Sequence, residues 1–210
     1  MTMTRVKICG ITRYEDARLA VELGAAALGF NFYPSSPRYL DPQNARAVIS
    51  RLPPFVFAVG VFADEADATQ IVTIARQAGV SAVQLHGPRL PKEASAFDGF
   101  PVIRAVPVTP DFTPAMLLTL DAAAILLDAF DPERIGGSGK VIDWKIAQRA
   151  SEWGKPVILA GGLTPENVGE AVRIVRPYAV DVATGVESSP GVKNAAKLRA
   201  FFAEVNHASM

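Results

Sequence analysis

Cysteine is almost missing from this 210-residue chain, in which Cys9 is the sole thiol. A single cysteine excludes an internal disulfide and any metal site built from several thiolates. Histidine is nearly as scarce: His86 lies mid-chain and His207 in a polar tail, so neither a zinc nor a haem site is expected. Excess charge of either sign is lacking too, because 21 basic residues balance 21 acidic ones. Nucleic acids and anionic membranes attract cationic surfaces, so neither is an expected partner. Long apolar runs are absent: Phe55–Ala63 and Ala122–Leu127 fall well short of the ~18 residues a membrane helix needs. Residues 1–12 set Arg5 and Lys7 beside an apolar stretch too short for a signal-peptide core. The expected location is therefore the cytoplasm.

What is present is apolar mass. Half of the residues are hydrophobic and only 20% are charged, enough to bury a sizeable core. One pattern recurs along the chain: a short apolar run, a polar or glycine turn, an amphipathic stretch, then glycine and the next run. The first unit sets Arg5–Ile8 as a strand, with Thr12 and Glu15 at capping-box spacing before a helix that stops at Gly24. Glycine separates helix from strand again at Gly79 and Gly154. Asp41-Pro42 and Thr164-Pro165 read as helix starts, with proline where its missing N–H costs nothing.

Eight apolar runs are expected to be strands: Val6–Ile8, Ala26–Phe30, Val56–Val61, Ala82–Leu85, Val102–Ala105, Ala123–Leu127, Val157–Ala160 and Ala179–Ala183. Most lack strict alternation, as strands covered on both faces do. Eight units in 210 residues are compact but sufficient for a single-domain (β/α)8 TIM barrel spanning residues 1–210. A doubly wound open sheet is the alternative with the same alternation. Pro88–Phe97 and Thr113–Thr119 are weak helix formers, so the barrel is expected to have shortened helices in its middle units.

Reactive side chains of a barrel gather beyond the C-terminal ends of its strands. Those ends carry Cys9, Asn31, His86, Arg104 and Asp128, followed by the turns Gly161-Gly162 and Thr184-Gly185. The two glycine turns follow strands seven and eight, where barrels commonly hold phosphate on backbone amides and a helix N-terminus. Taken singly, either could merely permit a tight turn. Gly137-Ser138-Gly139-Lys140 is not a nucleotide P-loop, since Arg134 and Val141 stand where glycine and a hydroxyl are needed. Asp131–Lys140 reads instead as a glycine-hinged loop able to cover a ligand.

Cys9 and Asp128 form a candidate catalytic pair. A thiol and a carboxyl can divide acid–base work when their surroundings set opposite protonation states. Cys9 as base calls for a modest downward pKa shift, and Asp128 as acid for an upward one. Each also has a plain structural reading, as a small buried hydrophobe or as a capping carboxylate. His86 reads as a ligand contact or, alternatively, a proton shuttle with no evident partner to set its tautomer.

These positions fall within runs that together resemble phosphoribosylanthranilate isomerase, the barrel enzyme of the tryptophan pathway. The runs are KICGIT from Lys7, GFNFYPSSPRYL from Gly29, GVF from Gly60, QLHG from Gln84, LLDAF from Leu126, GGSGKVIDW from Gly136, LAGGLTPENV from Leu159 and DVATGVESSPGVKN from Asp181. The resemblance covers essentially the whole chain. It implies a cofactor-free Amadori rearrangement of a phosphorylated aminosugar, with Asp128 as general acid and Cys9 as general base. Arg38 matches the arginine that holds the anthranilate carboxylate, a planar anion suited to guanidinium. His86, Gly161, Gly162, Thr184 and Gly185 are the expected further substrate contacts, and no metal is expected.

The chain departs from the family pattern at Thr184 (commonly serine), Asn194 (commonly aspartate) and Ile142 (commonly phenylalanine). The first keeps its hydroxyl, the second bears on a helix start, and the third on the packing of the loop. Other phosphate-binding barrels fit less well. An indoleglycerol-phosphate synthase would need a catalytic lysine, and a histidine-pathway isomerase two aspartates where Cys9 and Arg104 stand. A non-catalytic sugar-phosphate binder would keep the glycine turns without needing Cys9 and Asp128. The partner implied is a small phosphorylated substrate, and the assembly a monomer or homodimer.

Overall fold

A computed structural model describes residues 3–63, 67–129, 142–152 and 154–209. The loop read over Asp131–Lys140 lies outside them. Eight parallel strands close on one another in chain order, β1 pairing with both β2 and β8, which excludes the open sheet. They are β1 Arg5–Cys9, β2 Ala27–Asn31, β3 Phe57–Ala63, β4 Ala82–His86, β5 Val102–Val108, β6 Ala124–Ala129, β7 Val157–Leu159 and β8 Ala179–Val182. Each coincides with one of the apolar runs, with ends moved by a residue or a few.

Among the described residues six helices wrap the barrel: α1 Tyr14–Glu22, α2 Pro42–Ile49, α3 Ala68–Ala78, α4 Trp144–Ser151, α5 Val168–Val175 and α6 Ala195–Ser209. Short 3-10 turns, Ala94–Phe97 and Pro114–Thr119, stand where the fourth and fifth helices would be. The middle units are thus shortened, as their weak helix formers led us to expect. Two short antiparallel strands, β9 Glu187–Ser189 and β10 Val192–Lys193, sit between β8 and α6. Among the described residues no helix is long and apolar enough to cross a membrane.

The large core packs the strands' outward side chains, such as Ile8, Leu28 and Leu127, against helix residues such as Ala17, Ile71 and Val172. A separate inner cluster holds Val59, Ile103, Leu126, Ile158, Ala160 and Ala179. The two sets follow from the period of two along each strand.

Local capping differs from expectation at two helices. Thr12 does not cap α1; its hydroxyl donates to Gly191 O, and the N-cap is Arg13, whose guanidinium forks onto Asp16. Thr12 is instead spent tying the first loop to the β9–β10 turn. Thr164 starts a turn, but regular helix begins only at Val168 after Asn167. At α2 the expectation holds, with Asp41 accepting from Gln43 N ahead of Pro42. His207 belongs to the last turn of α6 rather than to a loose tail.

Candidate active site

The C-terminal ends of the strands surround a cavity of about 730 Å³, in the size range of small-molecule sites. Its walls include Cys9, Asp128, Arg38, His86, Gly161, Gly162, Thr184 and Gly185, so all eight expected site residues come together. Asn31 lines it as well. Arg104 does not: β5 runs on to Val108, and the alternation that turns Ile103 inward turns Arg104 out towards the helices. There its guanidinium lies over the Phe97 ring and donates to Pro91 O.

Asp128 ends the inward row of β6. Its Oδ1 accepts from Ala129 N at 2.9 Å, which orients the carboxyl. Burial pushes its pKa up to about 6 and Asp181 adds to the rise, against the Ala129 amide and Lys7. That is the upward shift a general acid requires.

Cys9 ends the inward row of β1. Burial is the largest influence on it and pushes the thiol up, against the lowering charge of Lys7 and Lys193. This is opposite to the modest lowering expected, because desolvation of sulfur outweighs the nearby cations. Without ligand, Cys9 rests as a thiol.

His86 has the partner that could not be foreseen. Gln84, two residues earlier on the same inward row, places its amide Nε2 2.7 Å from His86 Nε2. A neutral ring with its proton on Nδ1 accepts that bond. Burial, then Lys7, hold the imidazole pKa down to about 4. The ring is therefore neutral at pH 7, which suits a ligand contact better than a proton donor.

Two glycines shape the far end. Gly161 takes φ +82°, and a Cβ there would stand 2.6 Å from Ala129 N. Gly185 abuts the other turn: a Cβ on it would overlap Leu163 O and reach Thr164 Cα at 3.2 Å. The turns after β7 and β8 thus share one bare-backbone surface. Asn167 fastens the first of them, accepting from Thr164 N at 2.8 Å and donating to Gly162 O at 2.9 Å.

Arg38 is not a solvated loop residue. Glu187 of β9 accepts from its Nε at 2.9 Å and its Nη2 at 2.7 Å, and Thr184 Oγ1 accepts from Nη2 at 3.0 Å. Lys193 of β10 grips the same carboxylate at 2.9 Å and donates to Cys9 O at 2.6 Å and Ala183 O at 3.3 Å. One buried lysine thereby joins the ends of β1 and β8 to the residue that orients Arg38. Glu187 and Lys193 escaped the sequence reading because Arg38 and Cys9, which tie them to the site, lie far away in the chain. Of the family departures, Thr184 keeps its polar contact, Asn194 Oδ1 accepts from Lys197 N at 3.0 Å at the start of α6, and Ile142 is buried in the core.

Burial alone would raise the Glu187 pKa, but Arg38 and Lys193 outweigh it and hold the carboxyl below the usual glutamate range. Its stabilisation is present above that range and fades as pH falls through the depressed value. Glu187→Gln should therefore cost about 3 kcal/mol at pH 7, because it leaves the buried Lys193 and the half-buried Arg38 facing a neutral amide. Urea denaturation should show the deficit shrinking at pH 3.5; an equal deficit at both pH values would rule out the charge interaction as its source.

Comparison with known proteins agrees with this geometry. Residues 6–204 match the family model for N-(5'phosphoribosyl)anthranilate (PRA) isomerase. The N-(5'-phosphoribosyl)anthranilate isomerase of Geobacter metallireducens is 50% identical over 95% of this chain and 97% of its own. The crystal structure of phosphoribosyl anthranilate isomerase from Thermus thermophilus superposes with a TM-score of 0.88 at 45% identity, covering 96% of this chain and 98% of that one. A phosphoribosyl anthranilate isomerase in complex with reduced 1-(o-carboxyphenylamino)-1-deoxyribulose 5-phosphate gives a TM-score of 0.82 at 39% identity, over 98% of this chain and all of that one. With a barrel of the same form and a match along nearly its whole length, this chain belongs to the N-(5'-phosphoribosyl)anthranilate isomerase family.

Proposed function

We propose that this protein converts N-(5-phosphoribosyl)anthranilate to 1-(2-carboxyphenylamino)-1-deoxyribulose 5-phosphate in tryptophan biosynthesis. The chain acts as one catalytic domain in the cytoplasm, as a monomer or homodimer, without a cofactor. The observation that carries the proposal is one cavity lined by a raised carboxyl, a thiol, an arginine and two abutting glycine turns.

Asp128 gives its proton to the furanose ring oxygen; the ring C–O bond breaks and the anthranilate nitrogen takes the positive charge as an iminium. Cys9 then removes the proton from the neighbouring sugar carbon, and the C–H electrons neutralise that nitrogen as an enolamine. Tautomerisation gives the ketone. The substrate's own nitrogen is the electron sink, so no redox partner is consumed. The iminium also meets the difficulty posed by Cys9: a cation formed beside the sulfur drives the thiol proton off to solvent, leaving the thiolate that takes the C–H proton, and acidifies that C–H bond. The acid step thus prepares the base step.

The remaining contacts divide the substrate between them. The turns at Gly161-Gly162 and Thr184-Gly185 take the phosphate on backbone amides. Arg38 takes the anthranilate carboxylate, and His86 contacts the ligand as a neutral ring. Because Lys193 offsets Glu187, Arg38 keeps its positive charge available even while Glu187 holds it in place.

The test is the decay of phosphoribosylanthranilate fluorescence. Cys9→Ser and Asp128→Asn should lose most of kcat while still binding a reduced product analogue. Full turnover by either variant removes that residue from the mechanism, and no turnover by the unaltered protein overturns the reading.

A further inference from the structure

The barrel interior contains an ion pair that no step above uses. Lys7 Nζ lies 2.9 Å from Asp181 Oδ1, and the two residues are 2% and 8% exposed. The strand register sets them side by side on β1 and β8. The barrel interior also holds the apolar cluster of Val59, Ile103, Leu126, Ile158 and Ala179, with Gln84 buried on the inward row of β4. A buried pair in such a place is weak support for stability, since apolar residues of similar volume commonly do as well or better.

Position explains the pair better than stability does. Lys7 and Cys9 are two residues apart on one strand, so both point inward, with Lys7 one layer beneath the sulfur. Gly29 pairs with Cys9 in the register of β1 and β2. A Cβ on Gly29 would stand 2.8 Å from Cys9 Sγ and 3.1 Å from Lys7 Nζ. Glycine thus leaves out the one side chain that would separate sulfur from ammonium.

We propose that Lys7 is a positioning residue for Cys9, its buried ammonium serving as counter-ion to the thiolate, and that Asp181 competes for that ammonium. This rests on the reading of Cys9 as the base. Lys7 remains an ammonium throughout; when the thiol ionises in the free protein, its proton leaves to solvent. The other charged or titratable groups facing the sulfur's surroundings are Lys193 from β10, Arg38 from the loop after β2, His86 from β4 and Asp128 from β6. Lys7 and Asp181 act on the thiol with opposite sign, the first drawing its pKa down and the second pushing it up, while burial raises it most.

Opposite signs make the test decisive. Cys9 is the sole cysteine, so iodoacetamide uptake by the full chain without substrate reports its thiolate alone. Lys7→Met should slow alkylation at pH 8 about tenfold and move its pH midpoint upward. Asp181→Asn should speed it by about threefold or more and move the midpoint downward. Lys7→Met paired with Asp181→Leu removes both charges without stranding either; it keeps the assay readable if the single variant fails to fold, and should react more slowly than the unaltered protein but faster than Lys7→Met alone. Lys7→Arg should restore part of the rate.

Midpoints that move the same way in Lys7→Met and Asp181→Asn, or no slowing in either variant lacking Lys7, overturn the proposal. The readout needs no turnover. Loss of the lysine effect with Cys9→Ser inactive defeats this inference alone. Full activity of Cys9→Ser, with the lysine effect intact, defeats the assignment of the base instead.

Discussion

Asp128→Asn should lower kcat by roughly two to four orders of magnitude and at the same time stabilise the protein above pH 6. The first effect follows from removing the proposed proton donor while keeping the shape of the side chain. The second follows from the same burial that makes the acid. Its native pKa, up to about 6, exceeds the usual aspartate value, so the folded state binds the extra proton more tightly than the unfolded chain. Stability from this group is full below about pH 4 and is lost as pH rises through 6. Lifting the carboxyl from its ordinary value to about 6 corresponds to a cost of roughly 3 kcal/mol at pH 8, which a neutral amide avoids. The checks are urea denaturation of both proteins at pH 4 and pH 8, and kcat/KM across the same range.

The variant should be the more stable protein at pH 8 and close to level at pH 4. In the unaltered protein, kcat/KM should rise towards pH 6 and level off above it, because loss of the Asp128 proton is then matched by gain of Cys9 thiolate. A stability difference independent of pH would show that the carboxyl is not held in its neutral form.

Gly185→Ala should be the most damaging single methyl in the site. The added carbon would overlap Leu163 O and press on Thr164 Cα, both of them backbone. No flexible side chain can swing aside, so the turns after β7 and β8 must part. Destabilisation of about 3 kcal/mol or more is expected from overpacking of this kind. Affinity for the reduced product analogue should drop at least about a hundredfold if both turns grip one phosphate, as proposed. Gly24→Ala provides the contrast: nothing lies within 4 Å of a Cβ there, and only its φ of +101° is strained. It should cost about 1–2 kcal/mol and leave ligand affinity unchanged. Titration of the analogue by calorimetry separates the two cases; equal affinity in Gly185→Ala and the unaltered protein would dismiss the shared phosphate surface.

How far the site could be read before folding depended on the distance over which its contacts act. Asp41 at α2 and the glycines after α1, α3 and α4 answer to local rules and stood where expected. Thr12 did not, because Gly191, distant in the chain, took its hydroxyl. Arg104 was misplaced for another reason. An apolar run buried on both faces gives no alternation from which to tell inside from outside, and β5 continued beyond the run that marked it.

Strand number, shortened middle helices and the residues crowning every strand but β5 were determined by the sequence itself, through apolar runs, glycine punctuation and the geometry every parallel barrel shares. Closure of the sheet and the partners of Arg38, Cys9 and His86 were decided only by tertiary structure. The charges around Cys9 come from β1, β8 and β10, which are remote in the chain and adjacent only once the barrel closes. Desolvation, the strongest influence on both thiol and carboxyl, likewise exists only after folding has removed water from around them.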